Sequence, residues 1–257
     1  MRACFKSAAY GAVEIATLRR GIARRINGEV VRFPARWCRY YPAEYERAKH
    51  DFVVQHCRPG SAAIDLGAHL GLFTVAMARA VGARGLVVAV EPTPSTRAAL
   101  ERTIALNGLD AVVAIRSEVV TDRVGVAVPF FTTADPLSNA NSVVASSLSR
   151  ASFEAPSTTI DDIVEALDRP VSCVKLDIEG AELVALRGAG RTVQLHRPAL
   201  AVEVHPVQLR QAGFSATELW TWLLDAAYLV TRDGGPVSKA WFTGQPGCFE
   251  IQAVARP

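Results

Sequence analysis

The sequence lacks long apolar runs and paired cysteine motifs. No stretch reaches the roughly 18 consecutive apolar residues of a membrane-spanning helix, and the apolar segment Ala8 to Leu18 is interrupted by Glu14. We therefore predict neither a membrane span nor a signal peptide. The five cysteines form no CxxC pair, and an odd number does not suit a secreted disulfide framework. These absences favour a cytoplasmic protein.

The composition is that of an ordinary globular protein, with 257 residues, 50% hydrophobic and 21% charged. The charge is uneven, because residues 1–58 carry 12 Lys or Arg against 5 Asp or Glu, and the remainder carries 16 against 20. We predict a basic helical extension over residues 1–58, with an amphipathic helix over residues 10–26, and one catalytic domain over residues 59–257. The extension could contact an acidic surface, but a solvated helix face is the favoured interpretation.

Short apolar runs alternate with helical patterns from Ala62 onward, which predicts a mostly parallel sheet covered by helices on both faces. The predicted strands are Ala62–Leu66, Leu86–Val90, Val112–Arg116, Val171–Leu176 and Leu200–Val204. The predicted helices are Glu44–Cys57, Leu72–Ala80, Ser95–Asn107, Ala181–Gly188 and Thr217–Ala226.

Two parts of the chain depart from this alternation. Tyr228–Thr231 and Phe249–Val254 have no predicted helix between them, so we expect an antiparallel pair at one edge of the sheet. Asp135 to Ala155 is rich in Ser, Asn, Thr and Pro and has no clear period. Such a long loop in an α/β enzyme is commonly a lid or a substrate wall.

A glycine-rich loop follows the first predicted core strand, in the order Asp65, Gly67, His69, Gly71. Its spacing, DxGxxxG, differs from the GxGxxG of dinucleotide-binding turns and resembles the cofactor loop of class I methyltransferases. Glycine turns also occur for steric reasons alone. Glu91 ends the next strand, 20 residues beyond Gly71, where a carboxylate can accept hydrogen bonds from both ribose hydroxyls; a capping or surface acid is the alternative. Asp65 needs a buried partner.

Three carboxylates cluster where a later core strand runs into its helix. Asp177, Glu179 and Glu182 lie within six residues at the carboxyl end of a predicted parallel strand, which is where open α/β sheets bind ligands. Glu179 and Glu182 could simply be first-turn acids that gain about 0.3–1 kcal/mol each from the helix dipole. That explanation does not cover Asp177.

Four segments occur in order over about residues 60 to 206: AIDLGAHLGLFTVAMA, VEPTPSTRAALERTIALNG, VKLDIEGAELVALRGAG and ALAVEVHP. Together they resemble the FkbM family of methyltransferases. The resemblance implies a Rossmann-like class I α/β fold, S-adenosylmethionine as cofactor, and O-methylation of a hydroxyl on a sugar, glycolipid or secondary metabolite. The expected partner is thus a small-molecule or glycan acceptor, with no nucleic acid.

The family's functional positions carry over by this resemblance. Glu203 and His205 match a late strand-end motif, and Asp177, Glu179, Gly180 and Glu182 match an acidic motif. Position 69 is His where the family usually has Asn, and residues 116–122 fit the adenine-side motif only loosely. The cofactor-binding candidates are Asp65, Gly67, His69, Gly71, Glu91, Ser117 and Glu118.

Methyl transfer needs alignment of the acceptor and removal of its hydroxyl proton. The catalytic candidates are Asp177, Glu179 and His205. His205 could be a base at neutral pH or a structural residue, and Asp177 is an alternative base or an orienting group. These three side chains could also bind a divalent ion, but the sequence has no dedicated metal spacing and we predict no metal.

Three other functions are alternatives to methyl transfer. An NAD-dependent oxidoreductase would share the sheet and Glu91, but the third fingerprint glycine is absent. A non-catalytic cofactor-binding scaffold is disfavoured by the intact acids. Nucleic-acid methylation is disfavoured by the net acidic body and by the absence of an Asn/Asp-Pro-Pro-Tyr/Phe motif.

Overall fold

The computed structural model describes residues 20–133, 141–145 and 149–256. It begins with an antiparallel hairpin of β1 (Ile22–Ile26) and β2 (Glu29–Phe33). The predicted helix is therefore wrong over residues 22–26, and its first part, residues 10–19, lies outside the described residues. The turn explains the difference, because Asn27 and Gly28 both have positive φ, 51° and 86°, as two-residue hairpin turns require.

The remaining strands are, in chain order, β3 (Ala62–Leu66), β4 (Leu86–Val90), β5 (Val113–Arg116), β6 (Val119–Val120), β7 (Ala127–Thr133), β8 (Ser149–Thr158), β9 (Val171–Leu176), β10 (Ala199–Val204), β11 (Tyr228–Arg232), β12 (Gly235–Pro236) and β13 (Phe249–Ala255). The α-helices of the described residues are α1 (Arg47–His56), α2 (Leu72–Val81), α3 (Pro94–Leu106), α4 (Ile160–Glu165), α5 (Glu182–Arg187), α6 (Gly190–His196), α7 (Pro206–Gln211), α8 (Ala216–Asp225) and α9 (Lys239–Thr243), and a 3-10 helix spans Ala35–Trp37.

The large sheet has the order β12-β11-β13-β10-β9-β3-β4-β5. Its strands from β10 to β5 are parallel, whereas β13 pairs antiparallel with both β10 and β11. This confirms the predicted mostly parallel sheet with an antiparallel edge. The chain builds outward from β3 to β5 and then returns to add β9 on the other side of β3. The switch point between β3 and β9 is where such sheets bind ligands.

Strand β3 shows how the sheet is covered on both faces. Ala62, Ile64 and Leu66 pack into one hydrophobic cluster, and Ala63 packs into another, because successive side chains of a strand point to opposite faces. All four side chains are fully buried. A continuous apolar run followed by an acid is therefore typical of a central strand in this sheet. Strands β3, β4 and β9 have the predicted bounds.

Two connections differ from the predictions. The segment Asp135 to Ala155 is not wholly irregular, since β8 includes residues 149–155 and pairs antiparallel with β7; residues 134–140 and 146–148 lie outside the described part. A short helix, α9, does separate β11 from β13, and the Ser238 side chain caps it by accepting a hydrogen bond from the Trp241 N–H at 3.2 Å. The antiparallel pairing of β11 and β13 is nevertheless as predicted.

The segment ahead of β3 shares a core with the main sheet. Phe33, Trp37 and Tyr41 are buried in one hydrophobic cluster with Leu70 and Leu100. Burial of each large side chain contributes about 1.5–3 kcal/mol, so this segment is held firmly against the ends of β3 and α3. No helix among the described residues is both long and apolar enough to cross a membrane.

Candidate active site

A cleft opens at the carboxyl ends of β3, β4 and β9, at the switch point of the sheet. Its empty space, including open solvent at its mouth, is about 850 Å³. The residues that line it include Tyr41, Tyr45, Gly67, His69, Phe73, Glu91, Thr93, Phe130, Asn141, Lys175 and Asp177.

The glycines of the β3–α2 loop are required by close packing. Gly67 has φ +73°, and a Cβ there would lie 1.9 Å from the carbonyl oxygen of Asp177. Gly71 has φ +87°, and its Cβ would lie 2.6 Å from the Leu100 side chain. Gly67 thus lets the ends of β3 and β9 approach each other, which brings the two predicted motifs together at one edge of the cleft.

Glu91 lies at the base of the cleft, 7% exposed. One of its carboxylate oxygens accepts a hydrogen bond from the His69 N–H at 3.0 Å, and the other accepts one from the Thr93 N–H at 2.9 Å. Burial raises the pKa of Glu91, and these two backbone donors and the Lys175 charge only partly oppose that effect. A carboxylate has about four lone-pair sites, so Glu91 can accept a further hydrogen bond from a ligand in the cleft.

Asp65 lies behind the loop and does not line the cleft. Its side chain is fully buried; Oδ2 accepts a hydrogen bond from the Thr74 hydroxyl at 2.6 Å, and Oδ1 lies 3.1 Å from Lys175 Nζ. This confirms that Asp65 needed a buried partner. Lys175 also donates to the Gly67 carbonyl oxygen at 3.1 Å. The pair therefore holds the glycine loop onto β9.

Asp177 lies in the cleft between two lysines. One of its carboxylate oxygens is 3.8 Å from Lys175 Nζ and 3.8 Å from Lys49 Nζ. Burial would raise the pKa of Asp177, but the charges of Lys175, Lys49 and His205 outweigh burial and hold that pKa below its ordinary value. Asp177 is therefore an ionised carboxylate at neutral pH, with an exposed edge in the cleft.

His205 lies beside the cleft and does not line it. Its Nδ1 is 2.7 Å from Glu182 Oε1, and its Nε2 is 3.5 Å from Glu179 Oε2. Burial lowers its pKa, but the hydrogen bond to Glu182 and the neighbouring acids raise it to about 9. His205 is thus an imidazolium at neutral pH. Of the two candidate bases in the sequence, the geometry favours Asp177.

Glu179 has φ 52° and is buried beside His205. Its Oε2 accepts a hydrogen bond from the Gln208 amide at 3.3 Å. Burial, together with the charges of Asp177, Glu203 and Glu182, raises its pKa to about 7, although His205 opposes that shift. The structure therefore brings Glu179, Glu182, Glu203 and His205 together, but behind Asp177.

Lys49 of α1 is 1% exposed and contacts four acids. Its ammonium lies 2.6 Å from Glu46, 2.7 Å from Glu203 and 2.9 Å from Glu250, in addition to its 3.8 Å approach to Asp177. Burial lowers the pKa of Lys49, but these four carboxylates outweigh it and raise that pKa well above its usual range. Two buried ammonium groups therefore lie beside Asp177: Lys175, which lines the cleft, and Lys49, which does not.

The sequence profile of the Methyltransferase FkbM domain matches residues 65–230. That match covers more than half of the chain and includes both motifs that meet in the cleft. The chain belongs to the FkbM methyltransferase family. The family assignment confirms the predicted resemblance, and with the sheet order it gives the Rossmann-like methyltransferase fold. A search of curated proteins gave no match.

Several solved structures are similar to this FkbM-family chain. Methyltransferase FkbM from Methylobacillus flagellatus KT is 17% identical, with 80% of this chain and 51% of that chain covered and a TM-score of 0.49. An SAM-dependent O-methyltransferase from Thermotoga maritima is 16% identical, with coverages of 83% and 66% and a TM-score of 0.47. An rRNA methylase from Streptococcus thermophilus is 10% identical, with coverages of 82% and 96% and a TM-score of 0.46.

Besides Asp65 and Gly71, which do not line the cleft, two more candidate cofactor residues lie outside it. Ser117 and Glu118 line a separate shallow depression with Arg116. Glu118 forms a salt bridge with Arg116 and accepts a hydrogen bond from the Ser117 N–H at 2.9 Å. The neighbouring Val119 lines the cleft instead. The assignment of Ser117 and Glu118 to the cofactor therefore stays a prediction from the sequence.

Several residues of this FkbM-family site were not predicted. Tyr41, Tyr45 and Lys49 precede the matched domain, and Glu250 follows it. Lys175 had one usable signal, since a lysine within the apolar strand VSCVKL must find a buried partner. Phe130 and Asn141 come from the segment around the predicted substrate wall, and both line the cleft.

Among the residues that the structure describes, two groups of three side chains have ligand atoms within 4.8 Å of one another: Asp177, Glu203 and His205, and Glu46, Glu203 and Glu250. Oxygen and imidazole donors of this kind suit divalent ions. The Lys49 ammonium already contacts Glu203 in both groups. We assign no metal to this site.

Proposed function

We propose that this protein transfers a methyl group from S-adenosylmethionine to a hydroxyl oxygen of a small-molecule or glycan acceptor. The observation that carries the proposal is that Glu91 and Asp177 line the same cleft. Glu91 is the carboxylate suited to a pair of ribose hydroxyls, and Asp177 is an ionised carboxylate suited to a reacting hydroxyl. Glu91 would thus bind the cofactor and Asp177 the acceptor, within one cleft.

The residues present fit the cofactor. Glu91 is fixed by two backbone N–H groups and lines the cleft, where it can accept a further hydrogen bond. Gly67 and His69 would form the adjoining wall, and Val119 with Phe130 would supply apolar surface. S-adenosylmethionine, when bound, supplies an electrophilic methyl group on a positively charged sulfur.

Asp177 would then hold and deprotonate the acceptor. Its depressed pKa keeps it ionised at neutral pH, so it can accept the hydroxyl proton as the oxygen attacks. Tyr41, Tyr45 and Phe73 form an aromatic wall, with the Tyr41 and Tyr45 ring centroids 4.9 Å apart. Such a wall excludes water and can orient an acceptor, and orientation supplies much of the rate enhancement of a two-substrate reaction.

Calorimetric titration tests the cofactor assignment. Wild-type protein should bind S-adenosylmethionine in preference to NAD, and Glu91→Ala should weaken that binding by about 10-fold or more, in line with the loss of a buried charge-assisted hydrogen bond. Glu101→Ala is the control, because it removes an exposed carboxylate of α3 that does not line the cleft and should leave the affinity unchanged. Preferential NAD binding would point to an oxidoreductase, and binding of neither would favour a scaffold.

The acceptor is tested with methyl-labelled cofactor and a panel of sugars, glycolipids and hydroxylated metabolites, with an rRNA fragment as the contrasting substrate. Label should enter a hydroxyl compound and not the RNA. Asp177→Asn should reduce transfer by 100-fold or more while the cofactor affinity stays within about threefold, which separates chemistry from binding. Equal transfer by Asp177→Asn would remove Asp177 from the proposed mechanism.

A further inference from the structure

The ammonium of Lys49 joins acids from four separate parts of the fold. Glu46 precedes α1, Asp177 follows β9, Glu203 lies on β10 and Glu250 lies on β13. Three of these carboxylates are within 2.6–2.9 Å of Nζ, so they take up all three N–H donors of the ammonium. Lys49 is thus the common counter-ion of the acids at the edge of the cleft.

The distance from Lys49 Nζ to Asp177 is longer than the distances to the other three acids. At 3.8 Å the Lys49 charge acts on Asp177 without a hydrogen bond. Asp177 is therefore kept ionised chiefly by Lys175 and Lys49, and it lines the cleft. A cation that bound Asp177 directly would compete with an acceptor hydroxyl for the same oxygens.

The same space has the donors of a divalent-ion site. Glu46, Glu203 and Glu250, the three acids nearest the Lys49 ammonium, place one ligand atom each within 4.8 Å of one another, and carboxylate oxygens are the preferred ligands of Mg²⁺ and Mn²⁺. What distinguishes this cluster from an ordinary group of acids is that a cation is already there, in the form of a fully buried ammonium. Because this positive charge is part of the chain, the acids need no free ion to neutralise them.

We propose that Lys49 is the resident cation of this acidic cluster: its ammonium replaces a divalent ion among Glu46, Glu203 and Glu250, and it is a positioning residue for Asp177. The inference rests on the proposed function for the role of Asp177 alone. Methyl transfer by this protein is then independent of added metal. Lys49 belongs to a helix outside the matched domain, so the segment before β3 completes the site.

The test is Mn²⁺ binding, measured by calorimetry and electron paramagnetic resonance on the full-length protein without acceptor. Lys49→Ala removes the ammonium and leaves the acids in place, so it should bind one Mn²⁺ at least 10-fold more tightly than the wild type. Lys49→Ala with Glu203→Gln is the matched control, because it removes the carboxylate that both three-residue groups share; it should lose this binding. Lys49→Arg, which keeps the charge, should behave as the wild type.

Loss of the buried ammonium leaves uncompensated acids, so a second variant guards against unfolding. Lys49→Ala with Asp177→Asn carries one negative charge fewer and retains Glu46, Glu203 and Glu250. Mn²⁺ should raise the melting temperature of this variant and not that of the wild type. Equal Mn²⁺ binding by wild type and Lys49→Ala, or no binding by either folded variant, overturns the proposal. Failure to bind S-adenosylmethionine overturns the proposed function and leaves the Mn²⁺ result interpretable.

Discussion

Lys175 Nζ lies 3.1 Å from Asp65 Oδ1, and both side chains are almost wholly buried. This ion pair links the strand that carries the glycine loop to the strand that ends in Asp177. Because Lys175 also donates to the carbonyl oxygens of Leu66 and Gly67, it holds the glycine loop in position as well as pairing with Asp65. Two sequence motifs separated by about a hundred residues are thereby held in one arrangement.

Lys175→Met should destabilise the protein by about 3–5 kcal/mol, since it keeps the side-chain length but leaves Asp65 buried without its counter-ion. Urea denaturation measures the change in free energy of unfolding. The control is Lys175→Met with Asp65→Asn, which removes both charges and should recover part of the loss. If the double variant is as unstable as the sum of the two single variants, the two residues do not stabilise each other.

The free energy of unfolding should fall as the pH rises from about 6.5 to about 9. The folded protein raises the pKa of His205 from 6.5 to about 9; burial opposes this, but the Glu182 hydrogen bond and the nearby acids prevail. Folding therefore retains a proton that the unfolded chain releases. The resulting stabilisation is fully present below pH 6.5 and is lost as the pH rises through about 9, with a total of roughly 3 kcal/mol at most.

Denaturation of His205→Gln over the same pH range is the control, because glutamine does not titrate and the decline should become shallower. Wild type and His205→Gln should be compared above pH 7. Below that, Glu179, whose pKa burial raises to about 7, adds a decline of its own that begins near its ordinary value of 4.5. Wild-type stability that stays level between pH 7 and 9 contradicts the imidazolium assignment.

The central sheet was predictable because its information is local. Strands β3, β4 and β9 are apolar runs bounded by a turn and an acid, and each lies within the residues predicted. Glu91 was placed in the cleft for the same reason, as the residue that ends a strand beside β3. By contrast, the residues of β1, IARRI, suit either a helix or a strand. The deciding signal was the Asn27-Gly28 turn beside them.

The rest of the site was not predictable because its contacts join distant parts of the chain. Lys49 and Glu203 are 154 residues apart, and Glu250 is farther still, so no spacing rule links them. The roles of Asp65 and His205 depended on neighbours in the same way. Asp65 faces Thr74 and Lys175, and His205 is charged by Glu182. Spacing identified the reactive residue types; the three-dimensional neighbours determined the protonation states.

Gly67→Ala should distort the cleft. The added Cβ would lie 1.9 Å from the Asp177 carbonyl oxygen, at a φ of +73°, so β3 and β9 must separate. We expect a loss of more than about 2 kcal/mol in the free energy of unfolding, and a loss of at least 10-fold in S-adenosylmethionine affinity. Gly60→Ala is the matched control, with φ +78° and nothing within 4 Å of its Cβ; it should cost only about 1 kcal/mol and preserve affinity.

Asn27 couples the N-terminal hairpin to the aromatic wall. Its side chain accepts a hydrogen bond from the Tyr45 N–H at 2.9 Å and donates one to the Tyr45 carbonyl oxygen at 2.7 Å. Asn27→Ala removes both bonds and places alanine at φ 51°, so it should destabilise the protein by about 2–3 kcal/mol. Tyr45 should then lose its fixed position, and S-adenosylmethionine affinity should fall several-fold. Asn27→Asp keeps the acceptor and tolerates this backbone conformation, so it should lie between alanine and wild type in both measurements. Unchanged affinity in Asn27→Ala, with stability reduced, would show that the cleft is formed without the hairpin.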